Sequence, residues 1–518
     1  MKRIKWLVML CVLCVLSMIA AACSSGNEKA NNTGEPSASV STATAQASPS
    51  ASAPVKEEPA VIKIFMSDMN DKVPDKDDPY LKYIEEKTNT DLQIEFLPHA
   101  KYDETLKLKF ASGDFPDLYQ NWSGPEPELI EGGKVIALND LIEQNGANLK
   151  KFIPQATWDA VTVQGKIYSI PQPTETAEGQ ILFIRQDWLD KLNLKAPTTS
   201  DELLNVMKAF RDGDPNGNKK KDEIPFTMRE NITWGEPIFG MWGVGSFYSE
   251  TLYNNEVILG TVHPNILNGL DFLQTMYKEK LLDSEFLTNN RSVWEQKIKS
   301  GLVGIWAHAP NLAWQWQQDL EANIPDQKPN VLAIPTPRGT GNEGPVGTRW
   351  SPVGKTFTVT SEAEHPEAIV RLFDWLMSEE GQTFTEIGIE GQTYKVESGK
   401  KTYDNAHDEE LKWLRNLFRV HGFNEELSNA RLNDEQASLK INTAFQIANE
   451  QGFKVETIGM PPIETDYNMV SMFNENAAKL ILGQAKADDY RSFIESWKAQ
   501  GGADLIRART EWYNKNRK

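Results

Sequence analysis

The segment from Asp212 to Glu223 carries a dense set of side chains that could bind a metal ion. It reads DGDPNGNKKKDE, with Asp or Asn at every second position of its first half and a glutamate at its end. A tightly coiled loop turns every second side chain inward, and calcium prefers such carboxylate, amide and carbonyl oxygens. The pattern predicts a structural calcium loop. The alternative is a solvated polar turn.

Two registers fit this loop. A loop that starts at Asp212 places Gly217 at the sharp sixth position and Glu223 at the twelfth. A loop that starts at Asp214 uses five side chains and one backbone carbonyl, and the spacing alone leaves the choice open. No amphipathic helix follows the loop, which indicates a single stabilising site. The second register comprises Asp214, Asn216, Asn218, Lys220 (through its carbonyl), Asp222 and Glu223.

Tryptophan is frequent, with 15 residues in the chain, and several stand beside Gly, Pro or Asn. Sugar rings present apolar C–H faces that pack on aromatic planes, while Asp, Asn, Arg and Gln side chains bind the hydroxyl groups. The excess predicts a carbohydrate cleft, although a single tryptophan is more often buried in a core. The tryptophans considered are Trp122, Trp234, Trp242, Trp306, Trp314, Trp316 and Trp350.

Motifs for common catalytic chemistry are missing from the sequence. His407 is not part of an H-E-x-x-H motif, and no G-x-S-x-G sequence occurs. Gly354–Thr356 resembles the end of a phosphate-binding loop, but Arg349 stands where the first glycine is required. With 73 acidic residues in the chain, carboxylate pairs alone do not single out a glycosidase. We therefore expect a binding protein and not an enzyme.

Strand and helix signals alternate along the chain after residue 60. Val61–Phe65 and Leu92–Phe96 are predicted strands. A helix lies between them, with Asp78 as its N-cap and Pro79 at its first position. This order predicts a βαβ unit and a largely parallel sheet. Two further helix starts are predicted at the capping box Thr199–Glu202 and at Pro366.

The N-terminal residues have the features of a lipoprotein export signal. Lys2, Arg3 and Lys5 precede an apolar run over Trp6–Ile19, which ends at Ala20–Cys23. The run is too short for a stable membrane span. We predict a signal peptide over 1–22, lipidation at Cys23, and a flexible tether over 23–60, which is poor in large apolar residues. The alternative is ordinary cleavage that leaves this cysteine unmodified.

Cysteine and charge content exclude other classes. Cys11 and Cys14 leave with the signal, so the mature chain keeps Cys23 and can form no internal disulfide. The net charge is −19, and removal of the basic signal makes it more negative. A nucleic-acid partner needs a basic face, so we exclude one.

Several short segments together resemble extracellular solute-binding proteins of family 1, especially the large lipoproteins of Paenibacillus and Bacillus. Their order and spacing, from about residue 60 to the C-terminus, carry the resemblance. The segments are Ala111–Asp117, Gly165–Pro171, Arg185–Leu192, Pro197–Leu203, Gly301–Ile305, His365–Ile369, Glu380–Gln382 and Gly388–Gly391.

This resemblance implies a two-lobed α/β fold of the periplasmic-binding-protein type, with a ligand cleft between lobes that close by a hinge motion. We place the lobes at about 61–165 plus 335–405, and 166–334 plus 406–518. The calcium loop is similar to that of alginate-binding periplasmic proteins, which implies the register from Asp214. The resemblance further implies a monomer that works with a membrane permease and its ATPase.

The expected function is a lipid-anchored binding protein on the outer face of the cell membrane, which captures an oligosaccharide for an ABC importer. The rivals are a surface polysaccharide-degrading enzyme, an adhesive lipoprotein, and a binding protein for a solute such as a peptide. The predicted ligand-binding residues are Asn121, Trp122, Trp242, Trp306, Arg349 and Trp350.

Overall fold

The computed structural model describes residues 58–68, 73–122, 124–176, 179–247, 249–453, 455, 457, 460 and 469–516. The predicted signal peptide, Cys23 and most of the predicted tether lie outside these residues. No helix within the described ranges combines the length and the apolar character that a membrane crossing requires.

The strands of the described residues lie in two larger sheets and three hairpin-like pairs. In chain order they are β1 (Ala60–Ser67), β2 (Thr90–Leu97), β3 (Leu118–Asn121), β4 (Thr162–Val163), β5 (Lys166–Ile167), β6 (Ser169–Pro173), β7 (Ile181–Arg185), β8 (Ile224–Phe226), β9 (Glu250–Tyr253), β10 (Glu256–Leu259), β11 (Val303–His308), β12 (Val331–Ile334), β13 (Val353–Val359), β14 (Tyr394–Glu397) and β15 (Lys400–Tyr403).

Helices surround both larger sheets. They are α1 (Pro79–Thr88), α2 (Tyr102–Ala111), α3 (Pro127–Glu131), α4 (Asn139–Asn145), α5 (Ala147–Phe152), α6 (Gln155–Ala160), α7 (Gln186–Lys191), α8 (Ser200–Asp212), α9 (Glu236–Gly240), α10 (Ile266–Lys278), α11 (Arg291–Lys299), α12 (Ala313–Asn323), α13 (Pro366–Met377), α14 (Glu379–Ile387), α15 (Asp408–Phe418), α16 (Glu425–Leu432), α17 (Glu435–Glu450), α18 (Met469–Ile481), α19 (Ala487–Trp497) and α20 (Ala503–Asn516).

The local signals of the sequence are confirmed. The Asp78 side chain accepts hydrogen bonds from the backbone N–H groups of Tyr80 and Leu81, 2.9 and 3.3 Å away, at the start of α1. The capping box before α8 is present, since the Thr199 side chain and the Glu202 carboxylate each accept from the other's backbone N–H. Each signal acts within four residues, so no tertiary contact is needed to form it.

The first sheet has the strand order β2-β1-β3-β13-β6. β1 is parallel to both β2 and β3, which confirms the predicted βαβ unit. β13 runs antiparallel to β3 and β6, so the sheet is mixed and not largely parallel as predicted. Separate apolar cores cover the two faces of this sheet. One contains Phe65, Tyr102 and Tyr119, and a larger one covers the other face. The members of the larger core include Ile62 and Ile64 on β1, Phe357 on β13 and Leu376 on α13.

The second sheet has the strand order β12-β7-β11-β8. β11 pairs with β7 antiparallel and with β8 parallel, so β7 and β11 are its central strands. Separate cores cover its two faces. One contains Leu182, Ile184 and Ile305, and the other contains Ile181, Phe183 and Trp306. We call the elements packed on the first sheet the first lobe and those packed on the second sheet the second lobe.

Within the described residues, the chain passes between the lobes three times. The first passage joins β6 to β7 and the second joins β12 to β13. These two passages are hydrogen bonded to each other, because Thr174 Oγ1 donates to the Ser351 carbonyl at 2.8 Å and Thr348 Oγ1 donates to the Gln180 carbonyl at 3.0 Å. The third joins α16, which packs in the first-lobe core, to α17 in the second lobe.

The lobe boundaries in the structure differ from the predicted ones in three places. The segment 335–347, predicted in the first lobe, is hydrogen bonded to the second lobe, where the Arg338 and Gly339 N–H groups donate to the Thr198 and Met241 carbonyls. β6 was assigned to the second lobe, but it pairs with β13 in the first sheet. Residues 406–432 were also assigned to the second lobe, whereas Leu411, Leu414 and Leu427 pack in the first-lobe core. The last difference arises because apolar residues of α15 and α16 pack on the first-lobe core, so that the third passage lies between α16 and α17, about thirty residues later than predicted.

Candidate functional site

Asn121 ends β3 and closes the turn that follows it. It is buried, its Nδ2 donates to the Gly124 carbonyl at 2.5 Å, and its Oδ1 accepts from the Gly124 N–H at 3.2 Å. Thr356 on the neighbouring strand β13 also donates to Oδ1. These bonds occupy both ends of the amide, so Asn121 shapes the turn and does not present a free amide to a ligand.

Trp122 is partly buried at the edge of the first sheet. Its ring makes T-shaped contacts with the rings of His99 and Tyr102, and its centroid lies 5.7 and 5.4 Å from theirs, respectively. It therefore packs against α2 and the turn before that helix.

Trp242 and Trp306 lie in second-lobe cores. Trp306 is 0% exposed on the central strand β11, between Phe183 and Trp316. Trp242 is also buried, and its Nε1 donates to the Thr340 carbonyl at 3.1 Å. Neither ring can stack on a solute in this structure, so both are removed from the candidate site.

Arg349 and Trp350 lie on the second passage. Arg349 donates from Nη2 to Thr251 Oγ1 at 3.0 Å and from Nη1 to the Glu250 carbonyl, which ties the passage to the hairpin β9–β10. The Trp350 side chain is 50% exposed and covers Gly179, where an added Cβ would lie 2.2 Å from the ring. Trp350 is the most exposed of the predicted aromatic residues, and its ring remains available for stacking.

A cavity of about 420 Å³ lies between the two lobes. The first lobe contributes α14, α15, α16 and the segment before α16. The second lobe contributes α12, α17 and the turn after β11, while Glu175 on the first passage lies at the cavity wall. None of the six predicted ligand residues lines it. The lining residues are Glu175, Asn311, Leu312, Trp314, Gln315, Gln318, Glu386, Asn405, Asp408, Arg419, His421, Gly422, Phe423, Asn424, Ser428, Arg431, Leu432, Ile441 and Phe445.

Ion pairs form the first-lobe wall of this cavity. Glu386 on α14 has a side chain that is only 4% exposed, and its Oε1 accepts from Arg431 Nε at 2.7 Å. Its Oε2 lies 3.5 Å from Arg419 Nη1, which also lies 2.8 Å from Glu175 Oε1. The cluster therefore joins α14, α16 and the end of α15 to the first passage.

The arginines determine the protonation state of Glu386. Burial alone would raise the pKa of this carboxyl, but the charges of Arg419 and Arg431 outweigh burial and lower the pKa to about 2. Burial also lowers the pKa of His421, so this imidazole is neutral at pH 7. His421 Nδ1 donates to the Gly422 carbonyl at 2.6 Å. The wall at neutral pH thus holds an ionised glutamate and a neutral histidine.

Sequence analysis missed most of this site. Glu386, Arg419 and Arg431 come from three different helical segments, and no motif joins residues at these distances along the chain. Trp314 was considered as one tryptophan among several, but its place at the cavity depends on the fact that α12 follows β11 at the edge that faces the first lobe.

In the predicted calcium loop, side-chain oxygens accept hydrogen bonds from N–H groups of the same loop. Asp214 has a φ of 47°, and both of its carboxylate oxygens accept from the Lys219 N–H, at 3.1 and 3.3 Å. Asn218 Nδ2 donates to Asp222 at 2.9 Å. Burial and the neighbouring carboxylates of Asp222 and Asp214 raise the pKa of Glu223, whose buried Oε1 has no hydrogen-bond partner. A buried carboxylate oxygen that has no partner and is exposed to the negative charge of other acids fits a bound cation.

The contacts of Asp212 distinguish the two registers. Arg211 holds both oxygens of Asp212, at 2.8 and 2.7 Å, so this carboxylate is already paired. No cationic side chain of the described residues is paired with Asp214, which favours the register that starts there. No three His, Cys, Asp or Glu side chains among the described residues are grouped closely enough to hold a metal by themselves. The set from Asp214 therefore depends on its amide and peptide oxygens as well.

Comparison by sequence identifies the family to which the chain belongs. The pattern of the family described as "Bacterial extracellular solute-binding protein" matches residues 69–383. This match covers more than half of the chain, which therefore belongs to that family.

Two curated relatives extend the match. The chain is 21% identical to lipoprotein LipO of Bacillus subtilis, over 88% of this chain and 93% of LipO. It is 30% identical to the fructooligosaccharide ABC transporter substrate-binding protein FusA of Streptococcus pneumoniae, over 39% of this chain and 40% of FusA.

Solved structures share the fold at low sequence identity. An HMO-binding, ABC-transporter-associated protein of Bifidobacterium longum infantis matches with a TM-score of 0.70 and 18% identity, over 88% of this chain and 99% of its own. The alginate-binding protein AlgQ2, solved without calcium ion, matches with a TM-score of 0.65 and 21% identity, over 89% and 99%. These proteins confirm the predicted two-lobed α/β class.

We expect Glu386→Gln to lower the free energy of unfolding by about 3 kcal/mol at pH 7, because it leaves Arg419 and Arg431 without their shared carboxylate. The pKa of Glu386 is about 2 in the folded protein, below its ordinary value of 4.5. The stabilisation is therefore complete above pH 4.5 and is lost as the pH falls towards 2.

Urea unfolding of both proteins between pH 7 and pH 3 measures this effect. Glu379→Gln, at an 83% exposed side chain at the start of the same helix, is the control and should stay near wild type. A pH-independent difference between wild type and Glu386→Gln would show that the carboxylate charge is not what stabilises the wall.

Proposed function

We propose that the chain is the substrate-binding lipoprotein of an ABC importer and that it captures an extracellular oligosaccharide in the interlobe cavity. The cavity carries this proposal, because Trp314 provides an aromatic face and the surrounding amides, carboxylates and arginines provide hydrogen bonds for hydroxyl groups. The relatives that are named as carbohydrate-binding transport proteins support it. A membrane permease and its ATPase are the partners that this role implies.

Catalysis is not part of the proposal. A glycoside hydrolase needs a carboxylic acid that stays protonated near neutral pH, next to a second carboxylate. Glu386 in the cavity wall is held ionised by two arginines, with a pKa of about 2. Burial raises the pKa of Glu236 to about 7, but this residue is enclosed at the start of α9 and does not line the cavity.

Isothermal titration of the purified protein with a panel of short oligosaccharides tests the binding function. We expect Trp314→Ala to weaken the binding of a sugar ligand about tenfold or more, since the ring lies at the cavity, and to leave stability nearly unchanged. Trp306→Ala should do the reverse and cost about 3–5 kcal/mol of stability, because it empties a core site.

Trp350→Ala shows whether the exposed ring on the second passage also contacts the sugar. Normal affinity in Trp314→Ala would place the ligand elsewhere.

We also propose a structural calcium ion in the loop from Asp214 to Glu223. The unpartnered Glu223 oxygen supports it, as do the negative charges of Asp222 and Asp214, which act with burial to raise the pKa of Glu223. The ion would be held by Asp214, Asn216, Asn218, the Lys220 carbonyl, Asp222 and Glu223. Such an ion neutralises the acids and stabilises the folded state.

A ligand at a hundred times its dissociation constant adds about 2.7 kcal/mol of stability. Chelation of calcium should therefore lower the melting temperature of the wild type. Asp214→Ala combined with Glu223→Ala should abolish this response, whereas Asp212→Asn should keep it, since Asp212 is paired with Arg211. A wild-type melting curve that does not respond to chelator argues against calcium, and loss of the response in Asp212→Asn argues for the earlier register.

The last part of the proposal is a lipid anchor at Cys23 after cleavage of residues 1–22, with residues 23–60 as a tether. The export-signal pattern and the lipoprotein relative support it. Mass spectrometry of the N-terminal peptide should show an acylated cysteine, and Cys23→Ser should release the protein from the membrane. A membrane-bound Cys23→Ser protein would disprove the anchor.

A further inference from the structure

The arginines of the cavity wall are already paired with carboxylates. Arg419 lies 2.8 Å from Glu175 and 3.5 Å from Glu386, and Arg431 lies 2.7 Å from Glu386. The Arg419 side chain is 25% exposed, so the cavity reaches it only in part. A ligand carboxylate at either arginine would meet the carboxylates that already hold it.

The third acid of the wall is also neutralised. Asp408 accepts from Arg415 Nη2 at 2.8 Å and lies 3.9 Å from Arg431. Among the described residues that line the cavity there is no lysine, and the acids outnumber the arginines by one. With Arg415 included, three acids balance three arginines. The wall therefore offers a ligand no uncompensated positive charge.

The remaining polar groups of the lining are uncharged. His421 uses its Nδ1 hydrogen on the Gly422 carbonyl, so its Nε2 is an acceptor without a hydrogen, and this buried nitrogen has no partner. Amide and hydroxyl groups complete the set and can each accept and donate, as a sugar hydroxyl does. They are Asn311, Gln315, Gln318, Asn405 and Ser428. Asn424 also lines the cavity, but it donates to Gln382 Oε1 at 3.0 Å and accepts from the Leu427 N–H at 3.3 Å as the cap of α16.

We propose that the cavity selects an uncharged, polyhydroxylated ligand and rejects acidic sugars such as uronates. The inference rests on the proposed oligosaccharide function and defines its substrate class. A neutral sugar can donate hydrogen bonds to the paired carboxylates and accept them from the paired arginines without disturbing the ion pairs. A uronate brings a further negative charge to a wall whose arginines are already paired with carboxylates. Repulsion between the uronate and these carboxylates lowers its affinity.

Trigalacturonate and its fully methyl-esterified form are matched probes, because esterification removes the charge and keeps the sugar units and linkages. Calorimetric titration should include both, together with a panel of neutral oligosaccharides. We expect neutral members to bind and the trigalacturonate ester to bind at least about tenfold more tightly than the acid. Tighter binding of the acid overturns the inference and leaves sugar binding intact. No binding by any sugar, with a folded protein, overturns the proposed function and this inference with it.

Glu175→Gln tests the charge argument in the protein itself. It removes one of the two carboxylates that hold Arg419, so the preference for the ester over the acid should fall several-fold. Glu475→Gln changes the net charge equally at an exposed residue of α18 and should leave the preference unchanged. An unaltered preference in Glu175→Gln, or an equal fall in both variants, contradicts the proposed role of the paired wall.

Discussion

The cavity wall of the first lobe depends on the buried carboxylate of Glu386. A charge at this depth is costly unless it is paired, so α14 can pack here only because Arg419 and Arg431 reach the carboxylate from the end of α15 and from α16. Arg419 also holds Glu175 on the first passage. The same contacts thus fix three helical segments and set the charge that the cavity presents, so the stability of the wall and its electrostatics depend on the same side chains.

The ion cluster continues into the passages between the lobes. Thr174, next to Glu175, donates to the carbonyl of Ser351 on the second passage, and Trp350 precedes that residue. The cavity wall, both strand passages and the exposed tryptophan are therefore contiguous. Few chain segments cross between the lobes, so we expect a lobe motion to bend at these passages and to move α12 and α17 against a first-lobe wall kept rigid by its ion pairs.

The parts of this fold that the sequence could predict are those decided over a short stretch of chain. Asp78 with Pro79, and Thr199 with Glu202, define helix starts within four residues, and the βαβ unit follows from adjacent elements. The lobe boundary near residue 433 and the pairing of Glu386 with Arg419 and Arg431 were not predictable in this way. They depend on which core accepts each helix, and that is decided by packing between segments that are distant along the chain.

The tryptophans show why residue type alone did not locate the site. Trp306 lies on β11, a central strand whose six residues are all buried because helices cover both faces of the second sheet. A side chain there faces a core whichever way it points. Trp314 lies eight residues further along, on the helix that follows the strand at the edge facing the first lobe, and it lines the cavity. Aromatic side chains of the second lobe line the cavity when they lie beyond the ends of the central strands, where the cores stop.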